Sequence, residues 1–438
     1  MFQTIRNAWK VEDIRRKMLF TLFIILIYRI GNAITVPFVN TSLLAAYFNS
    51  MQNTVLGLYN VMSGSAFSMA TIFALSIQPY INASIIIQLL CIAIPALERL
   101  SKEGGEEGKE KIQNITRYST VGIALIQGFG YYVLIKQNNA LMESGAGFWA
   151  ALVIILSFVA GSSLLMWMGE QITEFGIGNG ISIILLVNIV STMPADYSNL
   201  FEQFVKGASS VGMAVLAAII IVALTVAVVA FIVYLNDGER RISVQYSQKI
   251  VGRKSFGGQA SHIPLKVNTA GVIPIIFAVS LFQFPVIIAN FATNYNPGTW
   301  TRFFISSYWC RPGYPIYTLG LLLYIALIIF FAYFYTQITF NPAEVSNNIK
   351  KQGGFVPGIR PGKPTEEYFS RVLRYLIFIG AVGLIIIAVI PMIVSGVFNA
   401  QLSFAGTSLI IVVGVILETA KKLESMLLVR NYSGFLAK

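Results

Sequence analysis

Apolar stretches of about 20 residues, the length that spans a bilayer as a helix, recur along the whole chain. Only 11% of the 438 residues are charged, whereas soluble domains carry about 25%. Backbone N–H and C=O groups must be paired inside hydrocarbon, so these stretches are expected to be helices. The pattern predicts an all-α polytopic membrane protein with ten transmembrane helices and no soluble domain of its own. The predicted spans are roughly 18–37, 74–97, 117–136, 149–169, 180–197, 211–235, 269–291, 316–339, 373–395 and 405–423.

Basic residues are concentrated on one side of this topology, which holds 26 of the 31 lysines and arginines. They lie in residues 1–17, 98–117, 236–266, 340–374 and 421–438. Because cytoplasmic loops carry an excess of Lys and Arg, both chain ends are predicted to be cytosolic. The net charge of +12 could also suggest nucleic-acid binding, but the positive-inside rule accounts for it loop by loop.

The sequence predicts no catalytic residue, metal site or cofactor, and therefore no enzyme. Cys91 falls in the second span and Cys310 in an outer loop, so we expect no disulfide between them. One His and two scattered Cys argue against zinc, and no P-loop or HExxH motif is present. The basic N-terminus and the apolar run after it resemble a signal peptide. The run is long and lacks a clear cleavage site, so we interpret it as a retained first helix.

The ten spans divide into two sets of five. A repeat with an odd number of spans must invert its topology, and inverted repeats place a transport pathway at their interface. Pro79 and Pro274 lie in the second span of each half, where they mark either interrupted helices or ordinary kinks. We predict an N-terminal half at 1–195, an outer hinge at 196–210 and a C-terminal half at 211–438.

The stretch 57–73 (GLYNVMSGSAFSMATIF) is too polar and too short to cross the membrane. It lies on the outer side, directly before the second span. Irregular backbone at membrane depth must be covered by protein or water. The stretch is therefore either a surface loop or a half-helix folded back into the protein.

Four longer stretches carry a resemblance to a known family. They are FALSIQPYINASIIIQLL (73–90), WMGEQITEFGIGNGISIIL (167–185), FYTQITFNPAEVSNNIKKQGGFVPGIRPGKPT (334–365) and GTSLIIVVGVILET (406–419). Together with the runs RRISVQY and HIPLKVNTAGVIP, they make nearly the whole chain resemble the SecY/Sec61-alpha family. The resemblance implies two inverted five-helix halves around a central hourglass pore. It also implies a channel that passes unfolded secretory polypeptides across the bacterial plasma membrane and releases transmembrane segments into lipid.

Channels of that family have a waist of apolar side chains contributed by several helices. An isoleucine in a membrane helix ordinarily packs in the core or against lipid, so this assignment depends on the resemblance. Aliphatic side chains offer no hydrogen bonds or charge to a passing chain, and a narrow apolar constriction dewets and blocks ions. Ser280 departs from a fully aliphatic ring. Carried over by motif, the ring here is Ile77, Ile81, Leu185, Ile276, Ser280 and Ile411.

The resemblance further implies a plug beneath the waist and a lateral gate between spans two and seven. Ile85, Gln88 and Asn268 are assigned to the gate. Gln88 and Asn268 are either polar latches across it or partners in local helix–helix hydrogen bonds. The plug is assigned to Tyr59, Met62, Ser63, Gly64, Phe67 and Met69.

The motif GIGNG contains Gly176, Gly178 and Gly180, and could pass for part of a dinucleotide fingerprint. That fingerprint needs a preceding strand in a βαβ unit. Since membrane helices flank the motif, we predict a cytosolic turn that opens the fifth span. Glu170 and Glu174 are interpreted as polar anchors in this region rather than catalytic carboxylates.

Two large basic loops, 236–266 and 340–372, carry Gly and Pro in addition to charge, which favours docking surfaces. In family relatives these loops receive the SecA motor ATPase or the ribosome, whose RNA phosphates bind Arg and Lys without sequence readout. The resemblance also implies the small membrane subunits SecE and SecG, signal peptides, nascent chains and the lipid bilayer as partners. The predicted docking residues are Arg240, Arg241, Arg253, Lys254, Lys350, Lys351 and Arg360.

Two other functions are compatible with a polytopic membrane chain. An ion-coupled solute transporter with inverted repeats needs converging charged groups at mid-membrane, which this chain largely lacks. Arg29, inside the first span, is the exception: it either snorkels, pairs within the bundle or has a functional role. A purely structural scaffold would need neither a waist nor a plug.

Overall fold

The structure is a computed structural model, and it is mainly α-helical. It describes residues 2–50, 55–142, 147–207, 210–246, 249–251, 254–256, 260–292, 300–305, 308–310, 313, 315–398 and 406–436.

Within these residues the first half of the chain is helical apart from its connections, which include two isolated β-bridges, Thr35 with Thr71 and Val39 with Leu141. Its helices are α1 (Phe2–Lys10), α2 (Glu12–Gly31), α3 (Thr41–Ser50), α4 (Val55–Met62), α5 (Gln78–Ala93), α6 (Pro95–Glu103), α7 (Gly105–Gln137), α8 (Phe148–Phe175) and α9 (Gly180–Leu200), which continues as a π-helix at Phe201–Lys206.

The second half combines long helices with short strands in the two large loops. Its elements are α10 (Val211–Asp237), β1 (Glu239–Tyr246), β2 (Lys249–Val251), β3 (Lys254–Phe256), β4 (Ala260–Lys266), α11 (Ile273–Ala292), α12 (Thr318–Thr339), α13 (Pro342–Lys351), β5 (Gly354–Phe355), α14 (Lys363–Phe398) and α15 (Gly406–Leu436), with 3-10 turns at Thr301–Phe304 and Pro315–Tyr317.

Several of these helices are suited to a bilayer. In the part of the chain that the structure describes, six segments are long and apolar enough to cross a membrane. They contain α7, α8, α9, α10, α12 and α14. A seventh is added if α5 and α6, which meet at an angle of 105°, are one broken span. Their junction is Ile94, which is extended because Pro95 disfavours a helical conformation in the residue before it.

The first two helices are displaced from their predicted positions, and α2 covers Glu12–Gly31 where the sequence predicted 18–37. Helix α2 ends at Gly31, because the chain after it becomes extended and pairs with the region before α5. The Val36 N–H donates to the Ala70 carbonyl at 2.9 Å, and the Ile72 N–H to the Ile34 carbonyl at 3.0 Å. The second predicted span begins late, at Gln78, because residues 63–77 form turns.

The two prolines singled out in the sequence start helices rather than kink them. Pro79 is in the first turn of α5 and Pro274 is in the first turn of α11. A proline is tolerated there because the first N–H groups of a helix have no partner within it. Both helices therefore begin where the chain has just left an irregular segment.

The two large basic loops are joined by a small antiparallel sheet in the order β4-β1-β5. Strand β1 pairs along its length with β4, with Ile242 opposite Ile263, and its end pairs with β5 through Gln245 and Phe355. Ile242 and Val244 are buried in a cluster with residues of α14. The loops are thus one folded unit resting on the helices, with strands that the sequence analysis had not predicted.

Candidate pore and plug

The segment that precedes the second span is folded into the protein. It begins as α4 and continues in turns, with positive φ at Gly64 (65°) and Ser65 (68°). Of the two alternatives drawn from the sequence, a short helix turned inward is the one observed. Met69, by contrast, is 47% exposed. The predicted plug residues that are buried are Tyr59, Met62, Ser63 and Phe67.

A buried polar cluster centred on Asn188 of α9 attaches this segment to the helices around it. The Asn188 Nδ2 group donates to the Met62 carbonyl at 2.9 Å and to Ser76 Oγ at 3.2 Å. Its Oδ1 accepts from the Tyr28 hydroxyl of α2. A Cβ at Gly64 would lie 3.0 Å from Asn188 Oδ1, so only glycine allows this close approach without displacement. Asn188 is completely buried, and these bonds use both ends of its amide.

An aromatic cluster holds the other end of the segment. The rings of Phe67 and Tyr131 are stacked with centroids 4.2 Å apart, and Phe48 contacts Phe67 edge-on at 5.0 Å. The Tyr131 hydroxyl also donates to the Phe67 carbonyl. Aromatic pairs of this kind contribute about 0.5–1.5 kcal/mol beyond their buried area. The segment is therefore anchored at Met62 by polar contacts and at Phe67 by stacking.

A narrow cavity lies directly beside Met62. Its volume is about 20 Å³, enough for about one water molecule. The lining is almost entirely apolar and comes from the start of α5, from α9, α11 and α15, and from the buried segment. Residues that line it include Met62, Gln78, Ile276, Val279, Ser280 and Ile411.

The predicted waist residues fall into two groups. Ile276, Ser280 and Ile411 line the cavity. The other three, Ile77, Ile81 and Leu185, are buried in the same hydrophobic cluster without lining it. Met62 and Gln78 also contact the cavity, although they were not assigned to the waist. A methionine at this position fills an irregular gap because its side chain is unbranched and flexible.

The two polar residues predicted for the gate form hydrogen bonds with nearby side chains. The Asn268 amide donates to Asn236 Oδ1 of α10 at 2.8 Å, and the Gln88 amide donates to Ser84 Oγ of its own helix at 3.4 Å. The Gln88 Oε1 atom is buried and has no hydrogen-bond partner among the described residues. Ile85 is buried in the main hydrophobic cluster. The hydrogen bonds therefore fit the local alternative for Gln88 and Asn268.

Charged groups near the membrane interior are paired within the bundle. Arg29 donates from Nη2 to the Val187 carbonyl of α9 at 2.8 Å, so of its three alternatives the structure has pairing. Arg117 of α7 and Glu170 of α8 form an ion pair at 2.9 Å, and Gln113 donates to the same carboxylate oxygen at 3.1 Å. Glu170 is thus a helix-to-helix anchor, while Glu174 is exposed.

The GIGNG motif forms the turn that the sequence predicted between α8 and α9. Gly178 has a φ of 81°, which favours glycine. A Cβ at Gly180 would lie 2.0 Å from the Gly169 carbonyl oxygen, so α9 can start here only because this residue has no side chain. Asn179 caps α9 by accepting from the N–H of Ile181 at 3.1 Å. Gly176 ends α8.

The predicted docking residues are mostly exposed on the two loops. Arg240, Lys350, Lys351 and Arg360 are exposed, and Arg241 pairs with Glu239 at 2.7 Å. Gly358 and Gly362, with φ of 82° and 103°, shape the turn that carries Arg360, whose carbonyl accepts from Thr365 Oγ1 at 2.8 Å. Lys254 lies in β3, and Arg253 lies outside the described residues.

A bundle of apolar helices around a narrow, aliphatic-lined cavity, with a buried segment against it, is the arrangement expected of a membrane channel. Comparison with known proteins identifies the family. The family model of SecY matches residues 71–420, and the chain belongs to the SecY family. Protein translocase subunit SecY of Rickettsia typhi is 41% identical over 432 residues, which cover 98% of this chain and 96% of that protein. The same subunit of Streptomyces galbus is 41% identical over 448 residues and the full length of both chains.

Solved structures agree on the fold. A structure described as that of a protein-conducting channel aligns with a TM-score of 0.65 at 16% identity, over 94% of this chain and 92% of that one. Sec61 in the canine ribosome-channel complex aligns with a TM-score of 0.61 at 15% identity, over the same shares. This chain is accordingly a multi-pass membrane protein and a protein-conducting channel. The solute-transporter alternative is not favoured.

Proposed function

We propose that the chain carries unfolded secretory polypeptides across a bacterial plasma membrane through the cavity beside Met62. It crosses the membrane ten times in two inverted halves, 1–195 and 211–438, joined by a hinge at 196–210, with both termini cytosolic. The basic loops support this orientation. In the same proposal α5 and α11 move apart, and apolar segments leave the channel between them and enter the lipid. The residues proposed at this gate are Ile85 and Gln88 of α5 and Asn268, which precedes α11.

The observation that carries the proposal is the aliphatic cavity closed by Met62. Its lining includes Ile276, Val279 and Ile411 from helices of the second half and Met62 from the first. A conduit for any sequence needs weak contacts, and aliphatic side chains provide neither charge nor hydrogen bonds. The segment at 57–73 is the plug in this proposal. Its displacement would join the cavity to the far side of the membrane.

A site-specific crosslink tests conduction. A photo-crosslinking residue replaces Ile276, which lines the cavity, and a secretory chain is stalled in vesicles together with the motor ATPase. We expect adducts to successive positions of the stalled chain as its length is varied. The matched control places the same residue at Leu281, which is exposed on the same helix and does not line the cavity.

Two results would contradict the proposal. One is a set of adducts that is equally frequent at Leu281 and Ile276. The other is an absence of adducts at Ile276 while the same vesicles secrete normally. Either result would show that the secreted polypeptide does not pass through this cavity.

The basic loops are proposed to dock the SecA motor ATPase or the ribosome, with SecE and SecG as further membrane subunits. Solved relatives of this fold include Sec61 in a canine ribosome complex and Ssh1 bound to the yeast 80S ribosome. Arg360 is exposed on a turn fixed by two glycines, as a contact residue should be.

Charge reversal tests this docking surface. We expect Arg360→Glu to abolish most secretion, because a carboxylate repels the acidic or phosphate groups that an arginine binds. The control is Lys363→Glu, an equal charge change at an exposed site three residues on. Secretion would be measured in vesicles of equal channel content. Normal secretion by Arg360→Glu, or an equal loss in both variants, would refute a specific role for Arg360.

A further inference from the structure

A second, larger cavity lies away from the pore, between α12 and α14. Its volume is about 370 Å³, within the range of about 300–1,000 Å³ typical of small-ligand sites. Thr336, Leu373 and Ile377, all buried, form part of its wall. The cavity belongs neither to the waist nor to the plug, and it shares no residue with either.

Polar side chains from both helices, one of them cationic, face this cavity. Tyr333 and Gln337 lie one turn apart on α12, and Ser370 and Arg374 lie one turn apart on α14. Spacings of four residues put each pair on one helix face. The two faces meet where the Tyr333 hydroxyl donates to the Arg374 carbonyl at 3.2 Å. The site is therefore built by both helices.

The charge of the cavity is positive and uncompensated. No acidic residue is among those that line it, and no carboxylate lies within ion-pair distance of Arg374 in the part of the chain that the structure describes. A guanidinium binds phosphate through paired N–H groups, and serine and glutamine add neutral donors. The chemistry thus fits a phosphate monoanion or diester.

The position of the cavity points to a phosphate that belongs to a lipid. Tyr375, next to Arg374, is 65% exposed, and tyrosine is enriched at membrane–water interfaces. One turn further along α14, Phe378 and Ile379 are exposed apolar residues suited to acyl chains. Basic pockets between transmembrane helices on the cytoplasmic side are suited to anionic headgroups.

We propose that the cavity between α12 and α14 binds the phosphate headgroup of one anionic phospholipid, with Arg374 as its charged contact and its acyl chains along Phe378 and Ile379. This inference is separate from polypeptide conduction, since it requires only that both helices cross the bilayer. A bound lipid would join spans eight and nine beneath the loop that carries Arg360.

Lipid retention by the full-length protein tests the proposal. The protein, with any subunits that copurify, is titrated in neutral detergent with phosphatidylglycerol, and bound lipid is counted by native mass spectrometry. We expect Arg374→Gln to weaken phosphatidylglycerol binding about tenfold, as the loss of a charge-assisted contact should. Ser370→Leu, which keeps every charge and fills the cavity, should weaken it as well. Phosphatidylcholine should bind far more weakly than phosphatidylglycerol.

The matched control is Arg371→Gln, which removes the same charge from a residue of α14 that is exposed, as Arg374 is, but does not line the cavity. Thermal unfolding in neutral detergent, which should be the same in all variants, excludes misfolding as the cause. Equal losses for Arg371→Gln and Arg374→Gln would overturn the site in favour of diffuse surface charge. Unchanged binding by Arg374→Gln and Ser370→Leu would overturn it outright. If inorganic phosphate displaced phosphatidylglycerol at equal concentration, the cavity would be a site for free anions and the lipid proposal would be wrong.

Discussion

At the scale of single residues, the contacts that hold segment 57–73 depend on a buried polar side chain within an apolar helix. Asn188 is the one amide in the run LLVNIVS of the fifth span, and the sequence analysis did not single it out. A lone polar residue in a membrane helix is expected to face the protein interior, so the signal was present. Its partners, the Met62 carbonyl and the Tyr28 hydroxyl, come from distant parts of the chain and could not be read from local pattern.

Replacing Asn188 tests whether this cluster holds the plug. Asn188→Leu removes one of the two donors to the Met62 carbonyl, which keeps Ser76 Oγ, and the acceptor of the Tyr28 hydroxyl, which keeps only the Asn32 amide. Buried hydrogen bonds lost in this way cost about 1–3 kcal/mol. We expect a lower thermal unfolding temperature in detergent and a larger ion leak in proteoliposomes. Thr192→Val, one turn along α9, is the control, because the Thr192 hydroxyl bonds only within its own helix, to the Ile189 carbonyl at 3.0 Å. An equal leak in both variants would contradict the latch.

A second residue-scale prediction concerns the contact of α8 with the chain that leads into α5. A Cβ at Gly161 would lie 1.9 Å from the Ile72 carbonyl oxygen, which is backbone and cannot rotate away. We expect Gly161→Ala to destabilise the protein by about 1–3 kcal/mol, the usual cost of overpacking. Gly122→Ala is the control, because nothing lies within 4 Å of its Cβ position, and alanine favours a helix by about 1 kcal/mol. Thermal unfolding of both variants in one detergent is the measurement, and equal stability would contradict the close contact.

At the scale of elements, the segment 57–73, the proposed plug, shows what composition can and cannot predict. Its polarity and length excluded a span, but left a surface loop and an inward half-helix equally open. The choice is made by tertiary contacts, chiefly the Phe67–Tyr131 stack and the bonds to Asn188. The same holds for β1, whose alternating buried Ile242 and Val244 are a strand pattern, whereas its pairing with β5 depends on a distant loop.

Removing the segment is the direct test of its sealing role. Deletion of residues 60–70 takes away Met62, which borders the cavity, and both anchors of the segment. We therefore expect ion leak through the resting channel to rise. Met69→Ser, which changes the exposed residue of the same segment, should leave the leak unchanged. Planar-bilayer conductance is the readout, and an unchanged conductance after deletion would refute the plug.

At the scale of the whole molecule, the residues of the predicted waist fall into two groups, and the sequence predicts one of them better than the other. Ile276, Ser280 and Ile411 were placed by motif, and the structure brings them together around one cavity although they lie on α11 and α15. Gln78 and Met62 were not predicted there, because Met62 is the last residue of α4 and Gln78 the first of α5, and no periodicity predicts the direction of a side chain where a helix meets a turn. Ile77, Ile81 and Leu185 pack behind the cavity, so their contact with a passing chain stays a prediction.

The last prediction uses this difference between lining and packing. Ile276→Asp places a carboxylate on the cavity wall, where it recruits water and ends the dewetted barrier, so resting conductance should rise. Ile81→Asp should mainly lower stability and raise the conductance less, because Ile81 is packed in the main cluster behind the cavity and its carboxylate would be left without water or a partner. Ile276→Val and Ile81→Val keep an apolar side chain and should seal normally. A channel that stays tight with Asp at both positions would show that the barrier to ions lies elsewhere in the molecule.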